Sequence, residues 1–168
     1  WGLDYTGPTP SARFDDICRV MDWTVNRIIA EKVDCVFFCG DAFKNNNIML
    51  NRASIEIKAF AGWLRKLSSA GITVFCISGT PSHDAIAAYE IVKEMNIPNV
   101  VICTTPQVLC LSDFALICFP GVNRSTIATL DEYKGLQPEE LHRIMTNYIT
   151  AALMGLRAQY PNTPAILM

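Results

Sequence analysis

Two apolar runs of strand length, each ending at a glycine, constrain the fold of this chain more than any other feature. The first covers residues 33–39 and ends at Gly40, and the second covers residues 72–78 and ends at Gly79. A helix-length amphipathic segment, Leu50 to Ser69, lies between them. This strand–helix–strand order predicts parallel strands whose carboxyl ends lie side by side. Open α/β sheets bind their ligands at that edge, so we expect a site there.

The composition is that of a globular domain with a substantial core. The chain has 168 residues, of which 51% are apolar and 18% are charged, a length that suits one domain. Of its seven cysteines, four lie inside apolar runs, where a thiol acts as a small hydrophobe. An odd number without C-x-x-C spacing argues against a disulfide framework or a zinc ribbon. We therefore expect a reduced, cytoplasmic protein.

The charge and hydropathy of the chain limit the classes of partner that we expect it to bind. The net charge is −2 and the sequence pI is about 5.6, so a basic field over the whole domain is missing and composition counts mildly against nucleic acid. No apolar run reaches the ~18 residues of a membrane span, and the N-terminus does not resemble a signal peptide. We expect no membrane partner.

Hydrophobic periodicity predicts the remaining elements. Helices are expected over residues 14–32, 50–69, 85–95 and 138–160, and strands over residues 35–39 and 73–78. Three short runs, residues 100–103, 108–111 and 114–119, are typical of an antiparallel meander, and residues 165–168 of a further strand. Without a repeat or a linker, the pattern indicates one domain over residues 1–168.

Asp41 is the first candidate site residue because it follows Gly40 at the end of a predicted strand. A carboxylate in this position projects into a cleft and is able to bridge two divalent cations. The alternative is a turn or helix-capping aspartate, since Gly-Asp is a common loop dipeptide.

His83 and Asp84 form the second candidate, at the end of the second predicted strand. An imidazole oriented by a neighbouring carboxylate would donate to a phosphate oxygen or protonate a leaving alkoxide. The alternative is a loop histidine beside an aspartate that caps the following helix. Arg124 is a candidate contact for a substrate phosphate, whereas His142 is expected on the solvated face of a helix.

A series of short segments, taken in order, resembles the calcineurin-like metallophosphoesterases, and most closely the SbcD-type DNA repair exonucleases. The resemblance extends over essentially the whole chain. The matching segments are residues 13–16, 31–34, 40–44 and 70–74, the loop ending in His83-Asp84, and residues 119–125 and 164–168.

The resemblance implies a two-sheet sandwich flanked by helices (α/β/β/α), with two divalent ions of the Mn²⁺ type between the sheets. Asp41 would bridge both ions, His83 would contact the scissile phosphate, and Asp84 would orient His83. The implied activity is metal-dependent hydrolysis of phosphodiester bonds in DNA. The implied partners are DNA, an SbcC-like SMC-type ATPase and a second copy of the chain.

This chain departs from the family pattern at the second strand end, which usually reads Gly-Asn-His-Asp. Thr80-Pro81-Ser82 occupies that interval, so Ser82 is the positional substitute for an asparagine ligand. The family's opening Asp-x-His motif is expected just before Trp1, and its closing histidine motifs after Met168. The resemblance therefore implies a nuclease domain that is incomplete at both ends and, taken alone, inactive and unable to hold two ions.

Two other functions stay open. The first is a phosphoesterase of the same fold that acts on nucleotides or small phosphoesters, which the acidic pI favours. The second is a non-catalytic α/β interaction module, which the atypical loop before His83 favours.

Overall fold

A computed structural model describes residues 12–43, 50–123, 127–128 and 133–168. The chain is of mixed α/β type and divides into two compact units, Trp1–Thr104 and Thr105–Met168. Each unit has one three-stranded sheet. The α/β class predicted from the sequence is confirmed, while the packing of the two sheets as a sandwich and the single-domain organisation stay predictions.

The first unit is an alternation of helices and parallel strands. Its elements are α1 (Ala12–Ala30), β1 (Cys35–Cys39), α2 (Leu50–Ser69), β2 (Thr73–Ile77), α3 (Ile86–Glu94) and β3 (Val100–Cys103). The sheet order is β1-β2-β3, with both pairs parallel. Cys39 is level with Ile77, and Ile77 with Cys103, so all three strands end at one edge. The predicted parallel pairing of the first two strands is confirmed.

The core of this unit lies between one face of the sheet and its helices. The strands supply Val74, Cys76 and Ile102, which are packed against apolar residues of α2 and α3. An aromatic cluster joins the layers, with ring centroids 5.3–6.4 Å apart. It consists of Phe38, Phe43, Phe60, Trp63 and Tyr89. Full burial of a side chain such as Phe60 stabilises the fold by roughly 1.5–3 kcal/mol.

The second unit contains β4 (Gln107–Cys110), β5 (Ala115–Cys118), α4 (Pro138–Ala158) and β6 (Ala165–Leu167). The order of its sheet is β4-β5-β6, with β4 antiparallel and β6 parallel to β5. All four residues of β5 are buried, whereas the three residues of β6 are exposed and no residue of α4 is fully buried. His142 on α4 is exposed, as predicted.

The meander expected after residue 100 is wrong in part. The run Val100–Cys103 pairs with β2 as a third parallel strand, and only β4 and β5 are antiparallel. A four-residue apolar run carries no information about its pairing partner, because parallel and antiparallel ladders accept the same side chains. In the described part of the chain, no helix combines the length and the apolarity that crossing a membrane requires.

Candidate functional site

The ends of β1 and β2 approach each other at two glycines. A Cβ atom added to Gly40 would lie 2.6 Å from the Cα atom of Gly79 and 2.7 Å from its nitrogen. A Cβ atom added to Gly79 would overlap the Oδ1 atom of Asp41 and lie 2.6 Å from the Asp41 nitrogen. Contacts this short mean that neighbouring atoms must shift before a side chain fits at either position. The Asp41 carboxylate therefore lies over Gly79, at the carboxyl edge of the sheet.

Asp41 has a left-handed backbone conformation. Its φ angle is 56°, and the φ angle of the preceding Gly40 is 91°. Two successive residues with positive φ turn the chain sharply after β1, and aspartate is one of the few residues with a side chain that tolerate this region. The Asp41 residue is exposed, so a carboxylate is presented to solvent where predicted.

Asp84 is a buried anion, 1% exposed, and both of its carboxylate oxygens accept backbone hydrogen bonds. Its Oδ2 atom accepts from the N–H groups of Asp41 at 2.9 Å and Gly79 at 2.8 Å. Its Oδ1 atom accepts from the N–H groups of Phe43 at 3.0 Å and Ala85 at 3.1 Å. A buried carboxylate requires such donors, because its desolvation is otherwise costly. Asp84 thus joins the loops that follow β1 and β2.

Tyr89 on α3 completes this arrangement and was not anticipated from the sequence. Its hydroxyl group accepts a hydrogen bond from the Ala42 N–H at 3.0 Å and donates one to Asp84. Burial, followed by the bond to Asp84 and its charge, raises the pKa of Tyr89 above its ordinary value. The hydroxyl group therefore keeps its proton. The available sequence signal was a tyrosine on the apolar face of α3, beside Ala88 and Val92.

The interpretation of Asp84 as a helix cap is wrong. The N-cap residue of α3 is Ala85, and no side chain caps the helix there. Because the Asp84 carboxylate is turned back towards the strand ends, it bonds only the immediately following N–H of the helix start.

Ser82 and His83 lie in the turn between Gly79 and Asp84. The Thr80 carbonyl oxygen accepts hydrogen bonds from the N–H groups of His83 and Asp84, both at 2.9 Å, which closes the turn. Ser82 and His83 are exposed, so the imidazole is accessible to a ligand. The orientation of His83 by Asp84 stays a prediction.

The structure thus brings Asp41 and Asp84 together across 43 residues of sequence, with His83 next to Asp84 in the chain. Arg124, the candidate phosphate contact, lies outside the described residues.

The donor set at the strand ends does not fit a complete two-ion centre. Asp41 offers a carboxylate, Ser82 a neutral hydroxyl and His83 an imidazole, while the Asp84 carboxylate is occupied by backbone N–H groups. Two cations require several anionic or imidazole ligands converging on one point. Within residues 12–43, 50–123, 127–128 and 133–168, no group of three or more His, Cys, Asp or Glu side chains has that arrangement.

Comparisons of the sequence with models of protein families and with curated proteins gave no match. The function must therefore be argued from the site itself.

Proposed function

We propose that this chain is part of a calcineurin-like metallophosphoesterase of the SbcD type, which hydrolyses phosphodiester bonds in DNA. One observation supports this proposal above the others. The hydrogen bonds of Asp84 hold the loop of Asp41 against the loop of His83, at the edge of a parallel sheet where α/β proteins bind ligands. An exposed carboxylate and an exposed imidazole on two loops that are joined in this way suit the hydrolysis of a phosphate ester.

The proposed roles follow from the chemistry of each group. The Asp41 carboxylate, exposed in a rigid turn, would serve as an anionic ligand for a divalent cation. The His83 imidazole would donate a hydrogen bond to a phosphate oxygen or a proton to the leaving alkoxide. Ser82 would be a weak neutral ligand, and Arg124 would contact a substrate phosphate. The remaining ligands of a two-ion centre would come from outside the described residues.

The sandwich of two sheets, the pairing with an SbcC-like SMC-type ATPase and the formation of a homodimer belong to the same proposal. All three rest on the motif resemblance, and the presence of two sheets in a mixed α/β chain supports the sandwich alone.

A second candidate is a phosphoesterase for nucleotides or other small phosphoesters. The acidic balance of the chain, with a net charge of −2, favours it because a DNA backbone is attracted by basic surfaces. Both candidates use the same strand-end residues, so the substrate distinguishes them.

The test is hydrolysis by the intact protein in the presence of Mn²⁺, with linear duplex DNA and bis(p-nitrophenyl) phosphate as substrates. We expect degradation of DNA, and a loss on the order of 10²–10⁴-fold in rate for Asp41→Asn and for His83→Ala. Asp113→Asn and His142→Gln are matched controls on exposed residues of the other unit, and they should retain full activity.

Cleavage of the small diester without degradation of DNA would refute the nuclease proposal and favour the second candidate, a phosphoesterase for small substrates. Full activity of both Asp41→Asn and His83→Ala, or inactivity of the wild-type protein on both substrates, would refute a phosphoesterase site at these strand ends.

A further inference from the structure

The bonds of the Asp84 carboxylate suggest a function for this residue other than the orientation of His83. Four backbone N–H groups and the Tyr89 hydroxyl group donate to it. An ionised carboxylate has about four lone-pair sites. These donors fill about that number of sites, so the bonds of this carboxylate are directed mainly at the backbone and at Tyr89.

The same bonds converge on the loop that carries Asp41. The N–H groups of Asp41 and Phe43 donate to opposite oxygens of Asp84, and the intervening N–H of Ala42 donates to Tyr89. Three consecutive peptide groups are thus held by one buried acid–phenol pair. This loop contains the left-handed Asp41, a conformation that costs free energy for a residue with a side chain and that the surrounding bonds stabilise.

One carboxylate oxygen also sets the spacing between the strand ends. The Oδ2 atom of Asp84 accepts from Asp41 and Gly79 together, at 2.9 and 2.8 Å. Because Gly79 lies beneath the Asp41 carboxylate, movement of this oxygen would shift Asp41 relative to the turn of His83.

We propose that Asp84 is a positioning residue for Asp41: its buried carboxylate holds the 41–43 loop in the conformation that presents the Asp41 carboxylate at the strand ends. This inference rests on the proposed function for its catalytic consequence, but its structural content can be measured separately.

The first measurement is amide hydrogen exchange in the full chain carrying Asp84→Asn. Asparagine keeps the shape of the side chain but turns one acceptor into an N–H₂ group, which faces backbone donors. We expect at least about a tenfold faster exchange at Asp41, Phe43 and Gly79, with unchanged exchange at Leu64 in the core of α2. An equal increase at all these amides, or none at the loop, would overturn the proposal.

A second variant protects the test against a failure of Asp84→Asn to fold. Tyr89→Phe removes only the hydroxyl group that holds the Ala42 N–H and retains the Asp84 carboxylate. We expect faster exchange at Ala42 and a smaller change at Asp41. Unchanged exchange at Ala42 in a folded Tyr89→Phe protein would also contradict the positioning role.

The second measurement is the hydrolysis of bis(p-nitrophenyl) phosphate in a double-mutant cycle. If Asp84 acts through Asp41, Asp84→Asn should lower kcat on the order of 10²-fold, and the double variant should be no slower than Asp41→Asn alone. If the losses in kcat of Asp84→Asn and Asp41→Asn multiply in the double variant, the positioning role of Asp84 is overturned. An inactive wild type would refute the proposed function instead, and the exchange pattern would still decide the positioning of Asp41.

Discussion

The two strand ends of the candidate site both contain a glycine, but for different physical reasons. At the end of β1, the first strand in the order β1-β2-β3, Gly40 and Asp41 both have a left-handed backbone, with φ angles of 91° and 56°. At the end of β2, the central strand, Gly79 has a φ angle outside the left-handed region. At Gly79 a side chain is disfavoured only by steric overlap, since added atoms would meet Asp41 and Asp84.

One residue type at matching positions therefore satisfies two unrelated requirements. Gly40 allows both the left-handed backbone conformation and the close approach of the two strand ends, whereas Gly79 allows the close approach only. Substitutions that add a single methyl group separate these contributions, because alanine has the smallest side chain that imposes a conformational preference.

The largest effect is expected for Gly40→Ala. The new methyl group would meet the Gly79 backbone at 2.6 Å, and alanine would be strained at a φ angle of 91°. We expect a loss of about 3–5 kcal/mol in the free energy of unfolding, measured by urea denaturation. A loss below about 1 kcal/mol would show that the two strand ends separate easily, in conflict with this comparison.

A smaller loss, about 1–3 kcal/mol in the free energy of unfolding, is expected for Gly79→Ala, since only overpacking is involved. The displaced group is the Asp41 carboxylate, so the hydrolytic activity that we propose should fall more than the loss of stability alone would cause. Gly62→Ala on α2 is the matched control, because a Cβ atom there meets nothing within 4 Å. It should stabilise the protein by up to about 1 kcal/mol. Equal effects of Gly79→Ala and Gly62→Ala on the free energy of unfolding would show that steric overlap does not determine the residue at position 79.

The smallest effect at neutral pH is expected for Tyr89→Phe. The ring keeps its edge contacts with Phe43 and Phe60, at centroid distances of 5.5 and 5.7 Å, but the hydrogen bond from the Ala42 N–H to the Tyr89 hydroxyl group is lost. We expect a loss of about 1–2 kcal/mol in the free energy of unfolding. Full retention of stability would show that this hydroxyl group does not support the 41–43 loop.

The pH dependence of the same variant has a definite sign. The pKa of Tyr89 is raised in the folded protein by burial and by Asp84, while the ordinary value is 10.0. Above that pH the unfolded chain releases the proton and the folded chain keeps it, so the stability of the wild type falls with pH by up to about 1.4 kcal/mol per unit. Tyr89→Phe should lack this component in urea denaturation at about pH 9–11. Parallel curves for the two proteins would contradict it.

The sequence allowed the prediction of those elements whose hydrophobic pattern is long or strictly bounded. Helix Leu50–Ser69 and strand Cys35–Cys39 have the expected limits, because helical periodicity over 20 residues and a glycine stop are strong local signals. The position of Asp41 at a strand end was predicted from the same glycine, Gly40, which ends the strand. The pairing partners of short strands and the contacts between distant residues were harder to predict from the sequence.

Trp63 illustrates what periodicity omits. The spacing of apolar residues puts Trp63 off the main apolar face of α2, yet it is 5% exposed and its ring packs against Phe38 and Phe60. A large ring reaches across the helix surface to contacts that the spacing of Cα atoms does not reveal. Asp84 is similar, since its backbone donors come from two loops and no local pattern encodes that convergence.

The bonds between Asp84 and the loop after β1 close a segment of more than 40 residues. Such non-local contacts form only after the chain entropy of the closed segment has been lost, which delays them during folding. A nascent chain or a partly folded intermediate with α2 already helical would therefore contain both strand-end sequences and yet lack their shared geometry. The alignment of the two strand ends would then form later in folding than helix α2.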